Sequence, residues 1–151
     1  MKNQINKYIV LAFSIFVIDR VTKLMALAWC GESIRTINSF LSFEVVFNRG
    51  ISWGMLHSSS DIVFGVVSLI IAAVTMALCW YAYRNYVRGN VIIGETCIIA
   101  GSLCNLIDRV VYNGVIDFII LSYGHLSWPV FNVADAAIVI GVGILVFQYE
   151  K

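Results

Sequence analysis

The sequence predicts an all-α membrane protein of four transmembrane helices, with a short sheet on its outer surface. Three observations carry this. First, 60% of the 151 residues are hydrophobic and only 13% charged, against roughly a quarter charged in soluble domains. Second, four apolar stretches reach the ~20 residues a helix needs to cross about 30 Å of hydrocarbon. Third, Lys and Arg gather beside alternate ends of those stretches. A single proline, Pro129, and the lack of a Gly/Ser-rich stretch leave no linker, so residues 1–151 read as one domain.

The first span falls at residues 8–29. A basic start followed by an apolar run has the outline of a cleavable leader, but Asp19, Arg20 and Lys23 interrupt the run. Trp29 is also too large for the small-residue position before a cleavage point, so residues 1–29 are expected to remain as an anchor. The other spans fall at 61–83, 91–110 and 132–149, with outer loops 30–60 and 111–131 and an inner loop 84–90. Lys2, Lys7, Arg84, Arg88 and Lys151 lie on one side. On the other, Arg35 and Arg49 are offset by Glu32, Glu44 and Asp61. Short basic loops stay cytoplasmic, so both termini are expected there. Tyr81, Tyr83 and Tyr86 fit an inner aromatic belt, and Trp29, Trp53 and Trp128 an outer one. Loose alternation around Phe43-Glu44-Val45 predicts the short sheet.

Composition also excludes. A net charge of +1 with scattered Lys and Arg lacks the basic patch that nucleic acid demands. Cys30, Cys79, Cys97 and Cys104 form no CxxC pair, and three lie in apolar runs as small hydrophobes. His57 and His125 have no ligand-spaced partner, so no structural metal is expected.

The polar residues near the spans gather at the outer ends: Asp19, Lys23, Asn48, Asn105, Asp108, Arg109, Asp117, Asn132 and Asp135. Charge near lipid costs a few kcal/mol or more unless paired, so such a layer marks a functional site. Bland readings exist for several members. Asp19 and Lys23, four apart, form an internal ion pair. Asp108-Arg109 reads as a helix end with the arginine snorkelling to the interface. Asn132 reads as an N-cap, and Glu95 as a helix-dipole partner. Asp117, between Val115-Ile116 and Phe118-Ile119-Ile120, and Asp135, among small alanines, have no basic neighbour within a helical turn in sequence. If their carboxyls meet, both cannot ionise, and one shared proton makes an acid and a base, as peptide hydrolysis by water requires. A small proton-coupled transporter using the same aspartates as a relay is the alternative, but it needs acids spread through the membrane depth. A serine protease is disfavoured because Gly-x-Ser-x-Gly is absent.

Five ordered blocks are similar to those of the bacterial lipoprotein signal peptidases, the signal peptidase II family. They are Asp19-Arg20-Val21-Thr22-Lys23, Asn48-Arg49-Gly50-Ile51-Ser52-Trp53-Gly54, Gly101 through Asn105-Leu106-Ile107-Asp108-Arg109, Val115-Ile116-Asp117-Phe118, and Trp128-Pro129-Val130-Phe131-Asn132-Val133-Ala134-Asp135. The resemblance implies four transmembrane helices with a small extracytoplasmic β cradle and a short surface helix after it, in the bacterial inner membrane. It implies a cofactor-free and metal-free aspartic endopeptidase that cuts diacylglyceryl-modified prolipoproteins just before the lipidated cysteine. The catalytic pair falls on Asp117 and Asp135. Asn48, Asn105, Asp108, Arg109 and Asn132 fall on site-shaping or substrate-binding positions, and Asp19 and Lys23 on a supporting pair. Membrane lipids, and peptide-like inhibitors such as globomycin that mimic the tetrahedral intermediate, are the further partners it implies. Two residues depart from the family pattern: Cys104 where Gly is frequent, and Ala136 where Ser is common. Both replace small with small, and the second removes a hydroxyl.

Overall fold

In the computed structural model, which describes residues 2–31, 33–50 and 60–149, the apolar runs are helices and the segments 30–60 and 111–131 between them supply strands. The order is α1 (Lys2–Cys30), β1 (Arg35–Thr36), β2 (Leu41–Asn48), α2 (Asp61–Val87), α3 (Ile93–Tyr112), β3 (Val115–Tyr123), β4 (Leu126–Ser127) and α4 (Val133–Tyr149). Glu32, Trp53, His57 and Lys151 lie outside the described residues, and no short surface helix falls among the described ones.

Helix ends differ from the sequence expectation for local reasons. No Pro or Gly interrupts Asn3–Lys7, so α1 reaches back to Lys2. The predicted inner loop at 84–90 shrinks because α2 continues to Val87. It stops where Gly89 takes φ +82°. There the Gly89 N–H donates to Tyr86 O at 3.0 Å and the Asn90 N–H to Asn85 O at 3.0 Å, the paired bonds of a glycine-terminated helix.

A larger correction concerns residues 111–131, expected as loop. Nine of them form β3, and the sheet runs β1-β2-β3-β4, all antiparallel. β3 pairs with β2 from Leu41↔Leu121 to Asn48↔Val115, with a bulge between Phe43 and Val46. Gly124, at φ +61°, turns β3 into β4.

Polarity is inverted relative to a water-soluble domain. Phe13 (α1), Leu69 (α2) and Phe147 (α4) are exposed, whereas Asp19, Lys23, Asp108 and Asn132 are wholly buried. Large continuous apolar exteriors need a covering phase. Length and composition suffice to cross a membrane in α2 alone among the described helices; α4 is apolar but shorter. α1 and α3 carry Asp19, Arg20, Lys23, Glu95, Asp108 and Arg109 within their length.

α3 is the central helix, packing against α1, α2 and α4. Its closest partner is α4, and small residues allow this. A Cβ added at Gly101 would lie 2.5 Å from the Ala134 carbonyl oxygen, and one at Gly141 would lie 2.6 Å from that of Gly94. This close crossing carries the first turn of α4 against the C-terminal half of α3.

Candidate active site

The first turn of α4 is closed by a reciprocal cap. The Asp135 N–H donates to Asn132 Oδ1 at 2.9 Å, and the Asn132 N–H donates to Asp135 Oδ2 at 3.2 Å. Asn132 is thus the N-cap the sequence predicts, and Asp135 takes the third helical position, where the cap and the helix dipole favour a carboxylate. The Asn132 side-chain NH2 is free for other work. It donates to Asp117 Oδ1 at 2.6 Å.

Asp117 arrives from β3, opposite Val46 of β2. Two residues along β2, Asn48 donates its side-chain NH2 to Asp117 Oδ2 at 2.9 Å, while its own Oδ1 accepts the Gly50 N–H at 2.8 Å. From α3, Asn105 donates to Asp135 Oδ1 at 2.8 Å. Each aspartate therefore has its own asparagine, and Asn132 bonds to both.

A layer of charge lies behind. Lys23 reaches Asp19 at 2.9 Å and Asp108 at 2.7 Å, and Arg20 reaches the same two at 3.0 Å and 2.5 Å. Asp19 also accepts the Ala134 N–H of α4 at 3.1 Å, and Asp108 the Ile116 N–H of β3 at 3.3 Å. The cluster thus ties α1 and α3 to the two segments that carry the aspartates. Removing one partner of such a buried pair costs roughly 3–5 kcal/mol.

One sequence reading is overturned here, that of Arg109, and two are borne out and extended, those of Asp19–Lys23 and Glu95. Asp19–Lys23 is a pair, but one half of a four-charge cluster; Arg20, unassigned from sequence, is its missing member, and its position beside Asp19 was the available signal. Arg109 does not snorkel: it is buried, donates to the Gly50 carbonyl, and lies 5.3 Å over the Phe64 ring. Asp108 is wholly buried with it. Glu95 is more than a dipole partner, being buried and accepting from Asn85 at 2.9 Å.

Both aspartates open onto one cavity of about 550 Å³, shared with Asn48, Asn105, Arg109 and Trp128 and otherwise mostly apolar. Such a volume suits a small ligand or a peptide segment. Asp117 is 2% exposed. Its burial, with Asp135 nearby, pushes its pKa up to about 7, and the Asn48 and Asn132 donors offset only part of this. A raised carboxyl pKa means the folded state holds a proton that the unfolded chain releases near pH 4. Its ionisation penalty is absent below that pH and complete above about 7. Thermal stability is therefore expected to fall as pH rises from 4 to 7, by on the order of a few kcal/mol from this group. In Asp117→Asn that slope flattens, which unfolding curves at a series of pH values would check.

The nine residues singled out from sequence thus converge. Asn48, Asn105, Arg109, Asp117 and Asp135 line the cavity. Asn132 bridges the aspartates, and Asp19, Lys23 and Asp108 support them from behind.

An apolar exterior around interior carboxylates is the pattern of a membrane protein with a functional site inside it. The fold agrees. It is similar to a bacterial membrane enzyme solved by the in meso method at 2.3 Å resolution, with TM-score 0.77 and 27% identity, covering 97% of this chain and 89% of that one. A second bacterial membrane enzyme, solved at 1.9 Å, gives TM-score 0.74 at 25% identity, over 97% and 94% of the two chains. Among sequences, the lipoprotein signal peptidase of Thermodesulfovibrio yellowstonii is 34% identical over 92% of this chain and 91% of its own. That of Aquifex aeolicus is 33% identical over 94% and 84%. Residues 11–150 match the family described as signal peptidase (SPase) II. The chain belongs to the signal peptidase II family.

Proposed function

We propose that this peptidase is a membrane-embedded aspartic endopeptidase, a single domain that removes signal peptides from diacylglyceryl-modified prolipoproteins by cutting before the lipidated cysteine. The observation that carries the reading is that Asn132 bonds to both Asp117 and Asp135 within one cavity. The pair shares one proton. Burial and the neighbouring Asp135 favour the protonated form of Asp117, and the first turn of α4 favours charge on Asp135. Asp135 takes a proton from water as the water oxygen attacks the scissile carbonyl, and Asp117 donates to the carbonyl oxygen. Arg109 adds positive charge at the developing oxyanion. The tetrahedral intermediate then collapses: the C–N bond breaks, the proton on Asp135 passes to the leaving amine, and the new carboxylic acid returns a proton to the pair.

The α helices would cross the membrane four times, both termini cytoplasmic, with the sheet and cavity near the outer face. The substrate's acyl chains would remain in lipid between helices, where apolar cavity residues such as Ile71 and Val139 continue the site. Globomycin-like peptides would occupy the same cavity. The relay alternative has less support, because α3 has no carboxylate between Glu95 at its first turn and Asp108 near its last.

Lipid recognition predicts that purified protein cleaves a diacylglyceryl-modified prolipoprotein at least about 100-fold faster, in kcat/KM, than the unlipidated form. Equal rates for the two would contradict it.

A further inference from the structure

Building on the dyad reading, we propose that Lys23 is a positioning residue that sets which way the Asn105 and Asn132 amides face, and through them holds both aspartates. Lys23 is wholly buried, and its ammonium has three donors and no acceptor. All three are used: on Asp19 Oδ2 at 2.9 Å, Asp108 Oδ2 at 2.7 Å, and Asn105 Oδ1 at 3.0 Å. Asp19 and Asp108 already balance Arg20 and Lys23 in charge. The third bond, to a neutral amide, therefore serves something other than neutralisation.

Its effect is on orientation. With Asn105 Oδ1 held by Lys23 and by the Asn132 NH2 at 3.2 Å, the Asn105 NH2 faces Asp135 Oδ1 at 2.8 Å. Turning that amide over would set NH2 against an ammonium and another NH2, and oxygen against a carboxylate. All three contacts would become donor on donor or acceptor on acceptor. An asparagine among neutral neighbours can present either end; a cation that only donates removes the choice. The polarity continues one residue further. Asn132, its NH2 directed to Asn105 Oδ1 and Asp117 Oδ1, leaves its own Oδ1 for the Asp135 N–H. One cation on α1 thus orders two amides, one donating to each aspartate.

A double-mutant cycle on the purified full chain tests this, with lipidated prolipoprotein as substrate. The variants are Lys23→Met combined with Asp19→Asn, which keeps the cluster neutral and an acceptor for the Ala134 N–H; Asn105→Leu, which leaves the ion cluster whole; and all three changes together. Each is expected to lower kcat roughly 10- to 100-fold, with KM within about threefold. The combination should be no worse than its weaker parent, because the same orientation is lost once. Multiplying effects, or wild-type kcat in the Lys23 variant, would overturn the proposal. Should the Lys23 variant fail to fold, Asn105→Asp decides: it keeps an acceptor for Lys23 and loses the donor to Asp135. A comparable loss of kcat supports the ordered amides, and wild-type turnover overturns the proposal. Failure of the wild-type chain to cleave would instead remove the dyad reading on which this one rests.

Discussion

Asp117→Asn and Asp135→Asn are each expected to reduce cleavage of lipidated prolipoprotein by about three orders of magnitude or more, while the protein still folds and inserts. The amide has the size of the carboxyl, so the cavity keeps its shape. In Asp135→Asn the side-chain oxygen still accepts the Asn132 N–H that closes the first turn of α4, so the helix start survives. In Asp117→Asn one oxygen still receives the Asn132 NH2. What neither amide can do is take a proton from water or release one to the carbonyl oxygen. Because the pair works as a unit, the double variant should be no slower than the worse single. Single-turnover assays on purified protein, with membrane abundance as a control, measure this.

Gly101→Ala is expected to be nearly as damaging by another route. The added Cβ would sit 2.5 Å from the Ala134 carbonyl oxygen and 2.8 Å from Ile138 Cγ1. The first of these is backbone and cannot rotate away, so α3 and α4 must part. Overpacking of this kind costs about 1–3 kcal/mol or more. The displaced segment is the one whose Ala134 N–H bonds to Asp19 and whose next residue is Asp135. A shift of about 1 Å at a reacting group costs on the order of 100-fold in rate. Gly143→Ala is the control. A Cβ there meets no atom within 4 Å, and the higher helix propensity of alanine should leave stability unchanged or raised by up to about 1 kcal/mol. Equal unfolding temperatures and rates for the two variants would contradict the close crossing.

The helices were legible because apolar length and flanking charge are one-dimensional signals. The aspartates were legible as charges in apolar surroundings. Other features depended on tertiary partners. β3 is hidden in sequence because Val115–Tyr123 lies in the connection between two apolar spans. Its β-branched run between Gly114 and Gly124 reads as a strand once β2 is available to pair with it. Arg109 looked like a snorkelling end residue because sequence shows the nearby helix end but not Phe64 and the Gly50 carbonyl that receive it. The bonds of Asn132 to Asp117 and Asp135 join residues fifteen and three positions away. The near one follows from capping; the far one exists only after β3 folds back on α4.

Asp117 and Asp135 together are expected to cleave one bond of a lipidated precursor. Mass spectrometry of the products formed by the purified chain from a diacylglyceryl-modified prolipoprotein, beside the two asparagine variants, tests it most directly. The wild type is expected to make a single cut immediately before the modified cysteine, and neither variant to make it. A cut elsewhere, or the same product from Asp117→Asn or Asp135→Asn at a comparable rate, would contradict it.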